Sequence, residues 1–312
     1  MDEIAVIGAN GFVGRHLCLA LARAGAKVYG YDLADAPAVR HEQFQYNRLD
    51  ILADPPRLPE ACTSLIYLSQ SPFYREFPEK AEHLFGVNAW GPCRAAEAFL
   101  QTPGRLFLYA STGNVYAPAF GPLNESAPTR RDDAYALSKL GGEDVMRLLD
   151  AKVADRRFVS LRFFGLFGPS QRTMLPVALF RRIWNDEPIT LQPRPDDPSD
   201  AGGLRVSWLY IHDLTAILAS LLTRQVSPES IPPCLNVAGD QAVPLREFAE
   251  HLGRAVGKSP RWQIAESARP GDLAADVTRL RQLGQPAYTP LPRAVEETAR
   301  ELRAWMESSP PA

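Results

Sequence analysis

The sequence predicts an α/β protein: a Rossmann-type doubly wound parallel sheet followed by a smaller α/β C-terminal substrate lobe. Three observations predict it. Short β-branched or aromatic runs alternate with longer helical patterns over the first two-thirds of the chain. The first such run ends in a glycine-rich turn that opens a helix, and an acidic residue closes the second.

Residues 3–7 form the first predicted strand, 11–24 a helix and 27–31 the second strand. Strands follow at 44–46, 64–68, 105–109 and 158–163, with helices over 78–100 and 134–151. Apolar strands joined through helices make a parallel sheet covered on both faces. The alternation weakens after Gly168. A helix over 175–184 leads into QPRPDDPSDAGG (192–203), which is rich in Pro, Asp and Gly and is expected as a mobile surface loop. A helix at 211–222, a strand at 234–237 and helices at 245–256 and 292–306 complete the pattern. The expected division is a dinucleotide-binding domain over 1–168, with a strand and helix returning near 204–240, and a smaller lobe made mainly from 169–312.

Length and composition bound the function. The 312 residues suffice for one main domain and a smaller attached one. With 46% hydrophobic and 22% charged residues the chain reads as soluble and globular. A net charge of −2 gives no electrostatic reason for a nucleic-acid or anionic-membrane partner, and the arginine pairs at 130–131, 156–157 and 181–182 are scattered surface charge. Cys18, Cys62, Cys93 and Cys234 stand far apart without His neighbours, so neither a metal site nor a redox pair is expected. Free thiols fit a reducing cytoplasm. Residues 1–7 run straight into a strand, leaving no room for a leader, and no apolar run approaches the ~18–20 residues of a membrane span. A cytoplasmic location is expected.

The chemistry begins at GANGFVG (8–14). Gly8 permits a tight turn, Gly11 admits a pyrophosphate to the backbone, and Gly14 lets helix and sheet approach; Asn10, Phe12 and Val13 share that turn. The helix start offers free N–H groups and a positive dipole end. Asp32 stands eighteen residues after Gly14, where a carboxylate can accept from a ribose diol and repel a 2′-phosphate, so NAD is favoured over NADP. The alternative is that Asp32 only caps a turn. Asp50 and Ile51 follow the third strand, where a carboxylate can meet the adenine amino group or serve only as a loop residue.

Tyr135 and Lys139 are one turn apart at the start of a helix, so both project from one face with a rise of ~6 Å. A phenol with a pKa of ~10 needs help to act as a base, and a nearby ammonium lowers that value. Upstream, the strand over 105–109 runs into Ala110, Ser111, Thr112, Gly113 and Asn114 at the sheet's carboxyl edge. Thr112 is the hydroxyl expected to orient a reacting alcohol or carbonyl, with Ser111 beside it; the alternative is that both cap the strand end.

Together these residues resemble the extended short-chain dehydrogenase/reductase family, in its nucleotide-sugar epimerase/dehydratase branch. GANGFVG, LDI (49–51), NAWG (88–91), YASTGNVY (109–116), YALSK (135–139), LRFFGLFGP (161–169), WLYIHDL (208–214), NVAGDQAVPL (236–245) and RPGD (269–272) match in order. The resemblance implies Tyr135 as acid/base and Lys139 on the nicotinamide ribose, with Thr112 orienting substrate. It implies cofactor contacts also at Leu68, Ser69, Gln70 and Phe163. Substrate contacts are implied at Ser111, Asn114, Gly165, Arg269 and Asp272, the last two towards a nucleoside diphosphate, though RPGD reads equally as a plain turn. A homodimer is implied, and helices 78–100 and 134–151 carry more apolar positions than a sheet-facing stripe needs.

Three departures stand out. Gly165 replaces the family's Asn, Leu68-Ser69-Gln70 replaces Leu-Ala-Ala, and Gly113 and Asn114 replace the acids of the dehydratases, which argues against elimination. His212 reads as a helix-start residue. The expected activity is NAD-dependent epimerisation of a nucleotide sugar by transient hydride transfer. The rivals are a reductase or dehydrogenase of another carbonyl or alcohol, and a dinucleotide sensor without chemistry. Thr112, Tyr135 and Lys139 argue against the last.

Overall fold

A computed structural model describes residues 2–284 and 286–308. Strands β1 (Glu3–Ile7), β2 (Lys27–Asp32), β3 (Phe44–Arg48), β4 (Ser64–Tyr67), β5 (Leu106–Thr112) and β6 (Arg157–Phe163) form a parallel sheet. Three short strands follow in the chain: β7 (Leu166–Phe167), β8 (Pro188–Leu191) and β9 (Arg205–Ser207). Then come β10 (Leu209–Tyr210), β11 (Cys234–Val237), β12 (Ala242–Pro244) and β13 (Arg261–Ile264). The seven-stranded sheet has the order β11-β6-β5-β4-β1-β2-β3. Its direction of growth reverses between β1 and β4, so a crevice opens at their carboxyl ends.

Helices α1 (Phe12–Arg23), α2 (Ala81–Phe85), α3 (Gly91–Leu100), α4 (Ala134–Lys152), α5 (Met174–Trp184), α6 (Ile211–Leu222), α7 (Leu245–Val256), α8 (Thr278–Leu283) and α9 (Leu291–Ser308) complete the chain. A π-helical turn, Gly86–Trp90, joins α2 to α3. Alternation along each strand explains the continuous apolar runs. Ile4 and Val6 face Leu17, Leu21 and Leu214 on one side of the sheet. Ala5 and Ile7 share the other side with Phe99, Phe107, Met146 and Phe158.

The expected fold class holds, and several boundaries move. Strand β5 reaches Thr112 instead of ending at 109, which puts both hydroxyl residues inside the strand. The helix expected from 78 starts at Ala81 and changes to π geometry within its length. Helix α6 packs on α1, and β11 pairs with β6, so this later stretch returns to the sheet. Three two-stranded pairs went unread in the sequence: β7 with β10, β8 with β13 and β9 with β12. Segments of two to four residues carry too little periodicity to show themselves. Residues 192–203 are mostly exposed, yet their far end is tied down by Arg269 to Asp200 (2.6 Å) and by Arg246 to the carbonyl of Ala201. Among the described residues no helix is long and apolar enough to cross a membrane.

Candidate active site

The turn after β1 is built on close approach. Gly8 has φ +91°, and a Cβ at Gly14 would stand 2.1 Å from the Gly8 carbonyl oxygen. Only glycine permits this contact of helix with turn. Gly11 is the N-cap of α1 and supplies no side-chain cap, so the first-turn N–H groups, beginning at Phe12 and Val13, are left for an anion or solvent. Across the reversal point, Ser69 backs Gly8: its amide nitrogen lies 2.8 Å from where a Gly8 Cβ would be. Leu68 continues β4 by donating its N–H to the Ile7 carbonyl.

Asp32 ends β2 with both oxygens engaged, one accepting from the Asn10 N–H (2.9 Å) and one from the Leu33 N–H (2.8 Å). Each carboxylate oxygen keeps a further lone pair, so capping the turn and accepting from a ribose diol are compatible. The Asn10 side chain is spent on residues 36–38, donating to the Ala36 carbonyl and accepting from the Ala38 N–H. Asp50 caps its own turn through the Leu52 N–H (3.0 Å), and Ile51 is buried with its carbonyl on Arg94. The glycine cradle, the uncapped helix start and the carboxylate at β2 fit a dinucleotide.

Helix α4 begins where Asp133 accepts from the Ala136 N–H (2.8 Å), which sets its first turn and therefore Tyr135. The Tyr135 hydroxyl donates to Oε1 of Gln70 at 2.8 Å. Burial raises the phenol's pKa and the Thr112 hydroxyl draws it back down, while Tyr74 and Asp133 push it up. Thr112 also accepts from the Asn114 N–H (3.2 Å). One turn along, Lys139 is 2% exposed and donates to the Ala110 carbonyl at 2.9 Å. Burial brings its ammonium down to about 7, against the opposing pull of Glu143.

A cavity of about 660 Å³ opens in front of Tyr135, lined among others by Tyr74, Gly113, Asn114, Arg130 and the 270–273 loop with Asp272. Its lining draws on the stretch after β5, the start of α4, Leu204 and the 270–273 loop. Of the residues expected to touch substrate, Asn114 and Asp272 line it, whereas Ser111, Thr112, Gly165 and Arg269 do not; Thr112 instead reaches the Tyr135 hydroxyl. Ser111 points to the opposite side of β5 from Thr112, because adjacent strand residues alternate, and donates to Glu143. Gly165, at φ +46°, lies under β9: an added Cβ would meet Val206 Cγ1 at 2.6 Å, and its carbonyl accepts from the Leu209 N–H. The space a side chain would need is filled.

Phe163, at the end of β6, is partly buried against the sheet core and is not among the cavity's lining. Arg269 is 2% exposed and donates to Asp272 (2.8 Å), Asp200 (2.6 Å) and the Gln192 carbonyl (2.9 Å). RPGD is thus a buried ionic clamp whose Asp272 edge reaches the cavity. His212 opens α6 with its ring edge-on to His16.

Sequence reasoning missed two supports. Asn88, fully buried in the π turn, donates to Ser138 of α4 and accepts from the Ser71 N–H, while its carbonyl accepts from Tyr109. A polar residue in an otherwise apolar helical run was the available signal. The other support is Glu143, which takes two hydrogen bonds from Arg162 (2.9 and 2.6 Å) behind β5.

The buried Lys139 yields a stability prediction. Its value in the folded chain, about 7, lies below the ordinary 10.5, so between those pH values the unfolded chain binds more protons and stability rises with pH. Lys139→Met should therefore stabilise the free chain at pH 6 by on the order of 1–4 kcal/mol. The gain should shrink as pH climbs from about 7 to 10.5. Melting temperatures of both proteins across that range check this; a gain independent of pH counts against it.

Comparison with known proteins places this arrangement. The profile of the NAD dependent epimerase/dehydratase family matches residues 4–237. An uncharacterized UDP-glucose epimerase of Bacillus subtilis is 24% identical over 298 residues, covering 90% of this chain and 91% of its own. A UDP-glucose 4-epimerase of Azospirillum brasilense is 25% identical, with 98% and 92% covered. The structure of a UDP-glucuronic acid 4-epimerase from Bacillus cereus, in complex with UDP-glucuronic acid and NAD, superposes with a TM-score of 0.82 at 23% identity, covering 97% of this chain and 99% of that one. With three-quarters of its length inside the family's profile and the glycine turn, Tyr135 and Lys139 on one sheet edge, the chain belongs to the NAD dependent epimerase/dehydratase family.

Proposed function

We propose that the chain binds NAD and epimerises a nucleotide-activated sugar, with Tyr135 as the acid/base. The observation that carries this reading is a cavity of about 660 Å³ whose lining includes both Tyr135 and the 270–273 loop. Sugar epimerases that bind UDP-sugars and NAD among the similar proteins support it. NAD, when bound, would supply the reversible hydride acceptor. The chain's own residues do the rest: Thr112 orients the reacting hydroxyl, Tyr135 takes and returns its proton, and Lys139 holds the ribose side of the site. Asp32 favours NAD over a 2′-phosphorylated cofactor.

Elimination finds little support. Gly113 and Asn114 carry no acid, and the cavity's Asp132 and Asp133 are committed to Arg130 and to the α4 cap.

A melting-temperature screen of nucleotide sugars with NAD and then NADP tests this reading. The cognate pair should raise the melting temperature by an amount that grows with the logarithm of its concentration over Kd. Turnover of that sugar without net NADH is the expected result. Steady NADH accumulation would replace epimerisation with net oxidation, making the enzyme a dehydrogenase. No response to any dinucleotide would end the cofactor assignment.

The same proposal includes a homodimer. Trp90, on the π turn packed against α4, is 68% exposed, and Leu148 on α4 is 53% exposed. Large apolar groups on two adjoining helices support burial against a second copy. Trp90→Asp combined with Leu148→Glu should convert a sedimenting dimer to monomer; a monomeric wild type at micromolar concentration overturns the idea. Four free cysteines support a reducing, cytoplasmic setting.

A further inference from the structure

Gln70 has no part in the proton and hydride steps above, yet it holds the group that performs them. It stands in the stretch after β4, where Ser69 backs the glycine turn. From there its Oε1 accepts the Tyr135 hydroxyl at 2.8 Å. The other hydrogen-bonding side chain at that phenol is Thr112, which favours the phenolate. The Tyr74 ring lies 5.4 Å from the Tyr135 ring, and Thr112 faces it from β5. Asp133 is committed to the α4 cap, Asp132 to Arg130, and Asp272 to Arg269. Arg75 lines the same cavity, and Lys139 has turned to the Ala110 carbonyl.

We infer that Gln70 is a positioning residue for Tyr135: its amide oxygen orients the phenol and holds it in the protonated, proton-donating state. This rests on the reading of Tyr135 as the acid/base. An acceptor on the neutral form disfavours the charged form, so Gln70 sets how readily the phenolate appears. The shorter side chains of alanine or serine at this position would not carry an amide oxygen to the phenol. The departure noted in the sequence, Gln where the resembling family has a small residue, thereby acquires a physical role.

The test is the onset of the Tyr135 phenolate absorbance with rising pH, read with and without NAD. Each protein is compared with the same protein also carrying Tyr135→Phe, so only Tyr135 is seen. Gln70→Met keeps the length and removes the acceptor; its onset should fall by roughly half a unit to one unit. Gln70→Glu places a negative charge at the same spot and should raise it. If a substrate is in hand, the ascending limb of kcat/KM moves in the same directions. An unchanged onset in Gln70→Met, or one that rises, overturns the proposal. The titration needs no sugar, so failure of the nucleotide-sugar reading leaves this comparison standing.

Discussion

Tyr135→Phe should lower turnover roughly 10²–10⁴-fold, the span of a lost general acid–base group. The substitution removes one oxygen and leaves the ring, so packing against Tyr74 persists. The Asp133 cap that sets the first turn of α4 is untouched. On the proposed reading Thr112 would still orient the substrate hydroxyl, but the group proposed to take its proton is gone. Neither Lys139, which is turned to the Ala110 carbonyl, nor Asp133 replaces the phenol. Dinucleotide affinity should stay near the wild-type value, because the glycine turn and Asp32 lie on β1 and β2. A kcat within tenfold of wild type, measured beside an unchanged melting-temperature response to NAD, would remove Tyr135 from the chemistry.

The largest stability effect belongs to Arg162. Its Nε and Nη2 meet both oxygens of Glu143, its Nη1 donates to the Glu125 carbonyl, and its guanidinium lies 4.6 Å from the Tyr116 ring centroid. Both members of the pair are at most 10% exposed at their side chains. Arg162→Leu leaves a carboxylate buried without its partner, which costs about 3–5 kcal/mol. Against a total of about 5–15 kcal/mol for a typical domain, this is a large fraction. The urea midpoint should fall accordingly, while the Glu143→Met, Arg162→Leu double variant recovers most of the loss. Activity should suffer as well, since Glu143 sits one turn beyond Lys139 and holds Ser111 next to Thr112. A double variant no more stable than the single one would refute the account.

Particular residues show where local reading succeeds and where it ends. The bounds of α6, β11 and α7 were legible because each has a clean apolar period, 3.6 or near-continuous, over its own length. Ser111 and Thr112 were legible as hydroxyls at the carboxyl end of β5, with Thr112 the one expected to work beside Tyr135; that Ser111 is bound to Glu143 on the opposite side was not. That follows from α4 lying behind β5, where Glu143 stands opposite Ser111. Gly165 was legible as a missing amide. That Val206 fills the space depends on β9, forty residues later in the chain, being packed over it.

By itself the sequence determined the doubly wound sheet, the glycine turn with Asp32, and a tyrosine and lysine one helical turn apart. Each of these is written within a single strand–helix unit, where spacing converts directly into geometry. The tertiary structure alone decided that Arg269 is clamped by Asp200 and Asp272, that Glu143 meets Arg162, and that Gln70 accepts a hydrogen bond from the Tyr135 hydroxyl. Most of these partners lie on different elements, and hydrogen bonds and ion pairs between them depend on packing that no local pattern specifies.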